Sequence, residues 1–354
     1  MLRKAIVFGT ALAALHNASG QDSTKTSPLT INGSADAYYK YDFGESKTNN
    51  FTSFTNSHNT FELGMASVKL DYKTPKVEMV ADLGFGKRAT EFSYNDQGIL
   101  AGVKQLYMSW SVNDWLKLTA GSWATHIGYE LVDAYANRNY SMSYMFTNGP
   151  FFHTGVKAEA TFNKSGFMIG MANPTDFKYV PDGIINKKFV IAQYSFVPGD
   201  LFKVYLNYAG GQNVDTTKSK QFDVVITSKL ADNFSLGYNG TLFNTSKYLG
   251  NKSFNDYKTC WGSALYLNFD ASSHLGFTLR EEYFSDHNKL KIYSQQLDGG
   301  YVVGSTLSAN YKVDNLTIIP EFRMDYSSNP LFVKKDGSAT KNAANVLLAA
   351  IYSF

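Results

Sequence analysis

Apolar and polar residues alternate along most of this chain. In the stretch 29–43, every second residue falls on the same face. That face holds the small or apolar residues Leu29, Ile31, Gly33, Ala35, Ala37, Tyr39, Tyr41 and Phe43. A period of two predicts a β-strand with one apolar and one polar face. A strand of about 15 residues, against the usual 5 or 6, favours a membrane barrel over a soluble sandwich.

The same alternation recurs in KVEMVADLGFG (76–86), SKQFDVVITSKL (219–230) and LTIIPEFRMDY (316–326). We predict that the charges of each segment share one face, as a membrane barrel with a polar lumen requires. The pattern changes phase near Met65, which predicts a β-bulge there. Glu281 falls on an apolar face, and Pro320 lacks the N–H that a sheet ladder needs.

Short turns and long polar links alternate between these strands. The short turns lie near 74–75, 113–114, 163–166, 198–200, 231–233, 271–273 and 314–315. The long links lie near 44–57, 87–102, 127–151, 174–187, 211–219, 245–256, 286–299 and 328–342. This pattern predicts an all-β, single-domain antiparallel transmembrane barrel of about 16 strands over residues 21–354. Its short turns and both termini are then periplasmic, and its long loops are extracellular.

The first 20 residues have the features of a secretory signal peptide. Arg3 and Lys4 precede an apolar run over 5–15, and Ala18 and Gly20 suit a cleavage site before Gln21. The chain is therefore predicted to be exported to the outer membrane. Its mean hydropathy is -0.25, and no later apolar run is long enough for a membrane-spanning helix.

Composition excludes several other classes of protein. A net charge of +3 from scattered Lys and Arg gives no basic patch for nucleic acid. Cys260 is the only cysteine of the chain, so no internal disulfide can form. We find no metal-ligand spacing and no phosphate-binding loop. The sequence therefore predicts no cofactor and no metal.

The link at 127–151 is too long and too aromatic to be a simple connector. We predict that it folds into the lumen as a constriction loop and brings Glu130, Asp133 and Arg138 to the wall. The lumen-facing wall candidates are Lys157, Glu159, Arg280, Glu282, Glu321, Arg323 and Asp325. Rings of such charges set ion preference in a pore. The alternative is a surface loop whose charges are solvated.

An outer-membrane hydrolase is the enzyme alternative. His126 and His153 flank the long link, and Ser141 and Ser143 lie within it, so a Ser–His pair is conceivable. No G-x-S-x-G motif accompanies them, and we predict that the protein is not an enzyme. A non-conducting structural barrel within an outer-membrane complex is the other alternative.

Three segments resemble one family of Gram-negative outer-membrane proteins, the β-barrel porin-2 (OmpL-like) family. They are NRNYSMSYMFTNGPFFHTGVKA (137–158), LKLTAGSW (116–123) and FELGMASVKLDY (61–72). The resemblance implies an outer-membrane pore without catalytic residues and with no particular solute. Members of the family often carry a basic residue after Asn-Tyr-Ser, where this chain has Met142.

The chain ends on NVLLAAIYSF. We predict that its alternating apolar residues face lipid and that the strand pairs with the first one to close the barrel. Tyr352 and Phe354 resemble the signal that the outer-membrane insertion machinery recognises. The predicted function is passive diffusion of small hydrophilic solutes or ions, with weak ion preference because both signs of charge line the lumen. The predicted partners are outer-membrane lipid and the insertion machinery, and a homo-oligomer is left open.

Overall fold

A computed structural model describes residues 28–184, 186–199, 201–250 and 253–354. The predicted signal peptide over 1–20 lies outside these residues. Sixteen antiparallel strands form one closed barrel, as predicted. The described part of the chain contains no helix that is both long and apolar enough to cross a membrane.

The strands vary from 8 to 14 residues in length. The first eight are β1 Leu29–Asp42, β2 Thr60–Lys73, β3 Val77–Phe85, β4 Val103–Ser111, β5 Leu116–Ala124, β6 Phe152–Phe162, β7 Ser165–Ala172 and β8 Phe189–Gly199. The last eight are β9 Phe202–Gln212, β10 Lys218–Ala231, β11 Phe234–Ser246, β12 Lys258–Asp270, β13 Leu275–Asp286, β14 Gly300–Val313, β15 Leu316–Ser327 and β16 Asn342–Ser353. Short and long connections alternate between them, which confirms the predicted order of turns and loops.

The long connections contain the remaining secondary structure. Helices α1 Lys87–Phe92 and α2 Tyr144–Asn148 lie there, with 3-10 turns at Lys47–Asn49, Gly98–Gly102 and Ala134–Ala136. Two small hairpins pair Tyr248–Gly250 with Ser253–Phe254 and Phe332–Val333 with Ala339–Thr340. The connections at this end of the barrel therefore have a structure of their own, whereas the described connections at the opposite end are tight turns.

The barrel closes where β1 pairs with β16. The register runs from Ser34 opposite Ser353 to Asp42 opposite Asn345. Beyond it, Gly33 and Phe354 exchange two backbone hydrogen bonds of 3.0 and 2.9 Å, and the Phe354 ring covers the site where Gly33 lacks a side chain. Closure leaves neither strand with an unpaired edge, which a hydrocarbon environment would penalise.

Exposure alternates along the strands as the period of two predicts. On β16, Val346, Leu348 and Tyr352 are exposed to the outside, whereas on the neighbouring β15 the charged Glu321 and Arg323 are buried against the interior. The wall therefore has an apolar outer face and a more polar inner face. The predicted sharing of one face by all charges is wrong for β10, because Lys218 and Lys220 lie on the same outward face as Phe222.

Three local irregularities have clear physical causes. Two residues of β2, Gly64 and Met65, face a single residue of β1, which confirms the predicted bulge. Glu281 lies on the outer face of β13, where the Ser305 hydroxyl donates to its carboxylate at 2.6 Å. The ladder between β14 and β15 is interrupted beside Pro320, which has no N–H to donate.

Candidate functional site

The connection between β5 and β6, here called the lumen loop (127–151), packs against the inner face of the barrel. Within it the Ser143 hydroxyl accepts a hydrogen bond from the Phe146 N–H at 3.1 Å and caps the short helix α2. Tyr140, Met142 and Tyr144 are each no more than 1% exposed. A loop with this many aromatic side chains therefore buries them between wall and loop instead of leaving them in water.

Backbone N–H groups of the lumen loop are bound by carboxylates of the wall. Tyr140 and Ser141 donate to the Glu321 carboxylate at 2.8 and 3.1 Å. Tyr144 donates to Glu282 at 2.7 Å. These amides have no secondary-structure partner, and inward-facing glutamates of β13 and β15 satisfy them. The wall thus fixes the path of the loop main chain.

Arg280 is the centre of an ion-pair network beneath the loop. Its Nη1 lies 2.7 Å from Glu130 Oε1, and its Nε lies 3.4 Å from Glu282 Oε1. The same Nη1 donates to the Ser141 carbonyl at 2.7 Å. Arg280 is 0% exposed, so these contacts compensate a cation that water does not reach.

Arg323 of β15 extends this network. It forms a bidentate pair with Asp325, with both N–O distances 2.8 Å, and lies 3.0 Å from Glu282. Its Nη1 donates to the Met142 carbonyl at 3.0 Å. Two arginines and three carboxylates therefore hold the segment 140–144 on the wall. One of the three carboxylates, Glu130, belongs to the loop itself. We call Glu130, Arg280, Glu282, Arg323 and Asp325 the ionic tether.

The other two charged loop residues contact different parts of the wall. Arg138 Nη2 lies 2.6 Å from Asp270 Oδ1, at the short-turn end of β12. Asp133 accepts from Lys104 of β4 at 2.5 Å, and Lys104 also pairs with Asp82 at 3.0 Å. The lumen loop is thus anchored on opposite sides of the barrel.

Two of the predicted wall residues lie apart from the loop charges. Lys157 and Glu159 of β6 pair with each other at 3.2 Å, and Lys117 reaches Glu159 at 3.5 Å. Lys157 also lies 5.1 Å from the ring centroid of Trp123. The structure therefore groups Glu130 with Arg280, Glu282, Arg323 and Asp325, but places Lys157 and Glu159 on another wall.

Several residues that contact the loop escaped the sequence interpretation. Arg88, in the preceding long connection, donates to the carbonyls of Val132 and Tyr140 at 3.2 and 3.3 Å. Lys104 and Asp36 bind the loop from β4 and β1. Asp36 lies on the polar face of a strand, so the alternation along that strand could have indicated that its side chain faces the lumen. Arg88 lies in the short helix α1 of a long connection, where the period of two of the strands gives no direction.

The end of the lumen loop is held by a carboxylate outside the membrane-spanning strands. Asp176, in the connection between β7 and β8, accepts from the N–H groups of Phe151 and Phe152 at 2.7 and 3.1 Å. The Tyr94 hydroxyl donates to it at 2.9 Å. Burial raises the pKa of Asp176 to about 6, although these hydrogen bonds favour the charged form.

The side of the lumen beside Lys157 is filled by apolar side chains. Trp123, Met168 and Ile191 form a buried cluster with Ile127 of the loop and Ala209. The most exposed of these five, Met168, is only 6% exposed. We call these five residues the apolar cluster. At this level, loop and wall therefore pack together on both sides of the lumen.

The residues of the hydrolase alternative do not form a nucleophile–base pair. His126 bonds to the Tyr208 carbonyl at 3.1 Å, and His153 bonds to the Thr125 hydroxyl at 3.0 Å. The Ser141 hydroxyl lies 3.3 Å from Arg280, and Ser143 caps α2. Within the described ranges, no group of three His, Cys, Asp or Glu side chains is placed to hold a metal.

Solved outer-membrane barrels share this fold at low sequence identity. OmpT of Vibrio cholerae in a trimer form has a TM-score of 0.59 at 12% identity, covering 92% of this chain and 99% of its own. The outer membrane channel DcaP of Acinetobacter baumannii has a TM-score of 0.60 at 10% identity, with 92% and 97% covered. The anion-selective porin from Comamonas acidovorans has a TM-score of 0.61 at 9% identity, with 92% and 99% covered.

No curated protein matches the sequence. The sequence model of one family, described as "Putative beta-barrel porin-2, OmpL-like", matches residues 28–354. This match spans the whole described barrel and includes the segments on which the resemblance was based. The chain therefore belongs to the OmpL-like beta-barrel porin-2 family of outer-membrane barrels.

Proposed function

We propose that this protein is an outer-membrane porin through which small hydrophilic solutes or ions diffuse passively. The observation that carries the proposal is the lumen loop held on inward-facing charges of a 16-strand barrel. A barrel of this strand number is wide enough for an aqueous channel, and a loop inside it sets the effective width. The pore then selects by size first and by charge second.

Weak ion preference follows from how the charges are arranged. Arg280 and Arg323 are each bound by carboxylates at 2.7 to 3.0 Å, so their fields largely cancel at a distance. Lys157 and Glu159 cancel one another in the same way. A solute therefore meets paired charges instead of a ring of one sign.

Planar-bilayer recording on the purified protein tests this proposal. We expect small, nearly non-selective conductance steps and a reversal potential near zero in a salt gradient. A second protein, in which a short Gly-Ser linker replaces residues 128–149, should conduct several-fold more. Steep cation or anion selectivity would contradict the proposed mechanism, and silence of both proteins would contradict the pore itself.

A non-conducting structural barrel is the second candidate, and one observation favours it. Arg280 and Arg323 are 0% and 3% exposed, so the loop covers the charges that a solute would meet. If only the linker variant conducts, the lumen loop is a plug that must move. If neither protein conducts and other proteins co-purify with the barrel, the structural role is the better explanation.

Export and assembly are parts of the same proposal. We infer that residues 1–20 are cleaved as a signal peptide and that the insertion machinery recognises Tyr352 and Phe354. Mass spectrometry of the mature N-terminus tests the first inference. Deletion of Phe354 tests the second, with an expected several-fold loss of inserted barrel and unchanged conductance of the remainder. A homo-oligomer is also proposed, since one structural neighbour is a trimer form, and cross-linking in the membrane tests it.

A further inference from the structure

The lipid-facing surface of the barrel has a depression of about 1060 Å³ across seven strands, β6–β12. Its lining combines small outward-facing residues with large apolar ones: Ala158, Ala192, Gly240, Ile169, Phe222 and Leu242. A closed barrel is normally convex outward, so this concavity needs a cause. On the inner side, Gly128 donates to Asp223 of β10 at 3.0 Å and His126 bonds to Tyr208 of β9. The wall is thus bound to the loop where its outer face is hollow.

A group of lysines lies directly above this depression on the outer face. Phe222 of the depression pairs with Tyr208 across β10 and β9, and Lys220 and Lys218 follow it toward the long-loop end of β10. Lys188 lies just before β8, where the register continues to the level of Lys218. At about 3.3 Å per residue and about 4.8 Å per strand, the three positions fall within about 12 Å of one another.

No carboxylate neutralises these lysines among the residues that the structure describes. Lys218 and Lys220 lie over the rings of Phe254 and Tyr257, at 3.7 and 4.7 Å from the centroids. Lys188 donates to amide oxygens of Asn173 and Asn186. The adjacent Asp215 is engaged by Thr217. Three ammonium groups on one face of the wall, without a carboxylate counter-ion among the described residues, favour an anion from outside the chain.

The position of the lysines relative to the membrane decides what that anion is. In outer-membrane barrels the long connections lie outside the cell, so we place Lys188, Lys218 and Lys220 at the outer-leaflet headgroup level. The depression below them lies at the level of the acyl chains. An occupant that satisfies both parts needs phosphate groups above and hydrocarbon below.

We propose that this face binds an anionic outer-leaflet lipid that carries more than one phosphate and several acyl chains. The phosphates bind Lys188, Lys218 and Lys220, and the acyl chains fill the depression below. Several chains are required because seven strands at about 4.8 Å spacing span about 30 Å, which is far wider than one chain. This site lies outside the lumen and is independent of the proposed pore function.

The first experiment titrates the purified full-length barrel in neutral detergent with bis-phosphorylated lipid A and counts the bound lipid by native mass spectrometry. The test variant is K188Q/K218Q/K220Q. The control variant, K73Q/K76Q/K229Q, removes three exposed lysines at the short-turn end. We expect at least tenfold weaker binding for the test variant and no change for the control. Equal loss in both variants, or no loss in either, would overturn the proposal.

The second experiment separates the two parts of the ligand. Lipid A without phosphates and phosphatidylglycerol should each bind at least tenfold more weakly than the bis-phosphorylated lipid. A192F fills the depression from the outer face and leaves the lysines in place, whereas A350F adds the same ring to the opposite wall. We expect several-fold weaker binding for A192F alone. Heat-modifiable migration on gels confirms that every variant is folded, and full binding of the phosphate-free lipid would refute the site.

Discussion

The two sides of the lumen hold the same loop by opposite means. On the β13–β15 side, the ionic tether binds main-chain carbonyls and N–H groups over 140–144. On the β5–β9 side, the apolar cluster packs against Ile127, and beside it Gly128 donates one hydrogen bond to Asp223 of β10. The first side therefore holds the loop mainly by charged hydrogen bonds, and the second side holds it mainly by apolar packing. Removing one partner of a buried ion pair leaves the other charge uncompensated and destabilises the protein strongly. Shortening a buried apolar side chain lowers stability in proportion to the volume removed.

The largest expected effect comes from Arg280→Ala. The substitution leaves Glu130 buried without its cation and Glu282 with Arg323 alone, which costs about 3–5 kcal/mol of unfolding free energy. We expect the loop segment 140–144 to leave the wall and single-channel conductance to rise several-fold. The matched control is Lys157→Ala on the opposite wall, whose partner Glu159 keeps Lys117. If both variants raise conductance equally, the two sides do not differ in the way described.

Met168→Ala is expected to act on stability alone. It removes buried apolar volume from the cluster and should lower the unfolding free energy by about 2–3 kcal/mol. Conductance should stay within a factor of two of wild type, because the ionic tether is intact. The measurement pairs denaturant unfolding in micelles with bilayer recording. A conductance rise as large as that of Arg280→Ala would show that the apolar cluster, and not the ionic tether, keeps the lumen loop in place.

The pH dependence of the loop end gives a third test. The pKa of Asp176 is raised to about 6 from 3.8, so between pH 4 and 6 the folded state binds more protons than the unfolded state. The contribution of Asp176 to the free energy of unfolding should therefore be largest below pH 4 and fall by up to about 3 kcal/mol as pH rises through 6. Denaturant unfolding at pH 4, 5, 6 and 7 measures this slope, and Asp176→Asn should flatten it. An unchanged slope in that variant would exclude Asp176 as its source.

The smallest expected effect concerns a charge on the outer face of the tether wall. Glu281 lies between Arg280 and Glu282 in sequence but points to lipid, and Ser305 donates a hydrogen bond to its carboxylate. Glu281→Leu should raise the unfolding free energy by about 1 kcal/mol in vesicles, since a lipid-facing carboxylate is unfavourable. Glu282→Leu, its inward neighbour, should destabilise strongly. Destabilisation by Glu281→Leu would indicate that another polar surface covers this residue in the membrane.

The barrel itself was predictable from local sequence because membrane and lumen impose a period of two on every strand. The phase change near Met65 correctly predicted the bulge, and Phe354 lies on the predicted face. Both predictions depend only on the alternation of residues within one strand. Parity also placed Arg280, Glu282, Arg323 and Asp325 on the lumen side. It failed at Lys218 and Lys220, where the strand rises above the hydrocarbon and charge on the outer face is no longer costly.

The sequence by itself thus determined which residues face inward, how many strands there are and how they connect, because each depends on neighbours in the chain. Only the tertiary structure decided which inward residues meet. Glu130 is 150 residues from Arg280 in sequence, and no local sequence pattern predicts that the two side chains form an ion pair. Nor does any local pattern predict that Glu159 lies apart from them. Strand tilt, barrel closure and the irregular path of the lumen loop decide that pairing. Those are properties of the assembled wall, since a loop without periodicity takes its conformation from the surfaces it contacts.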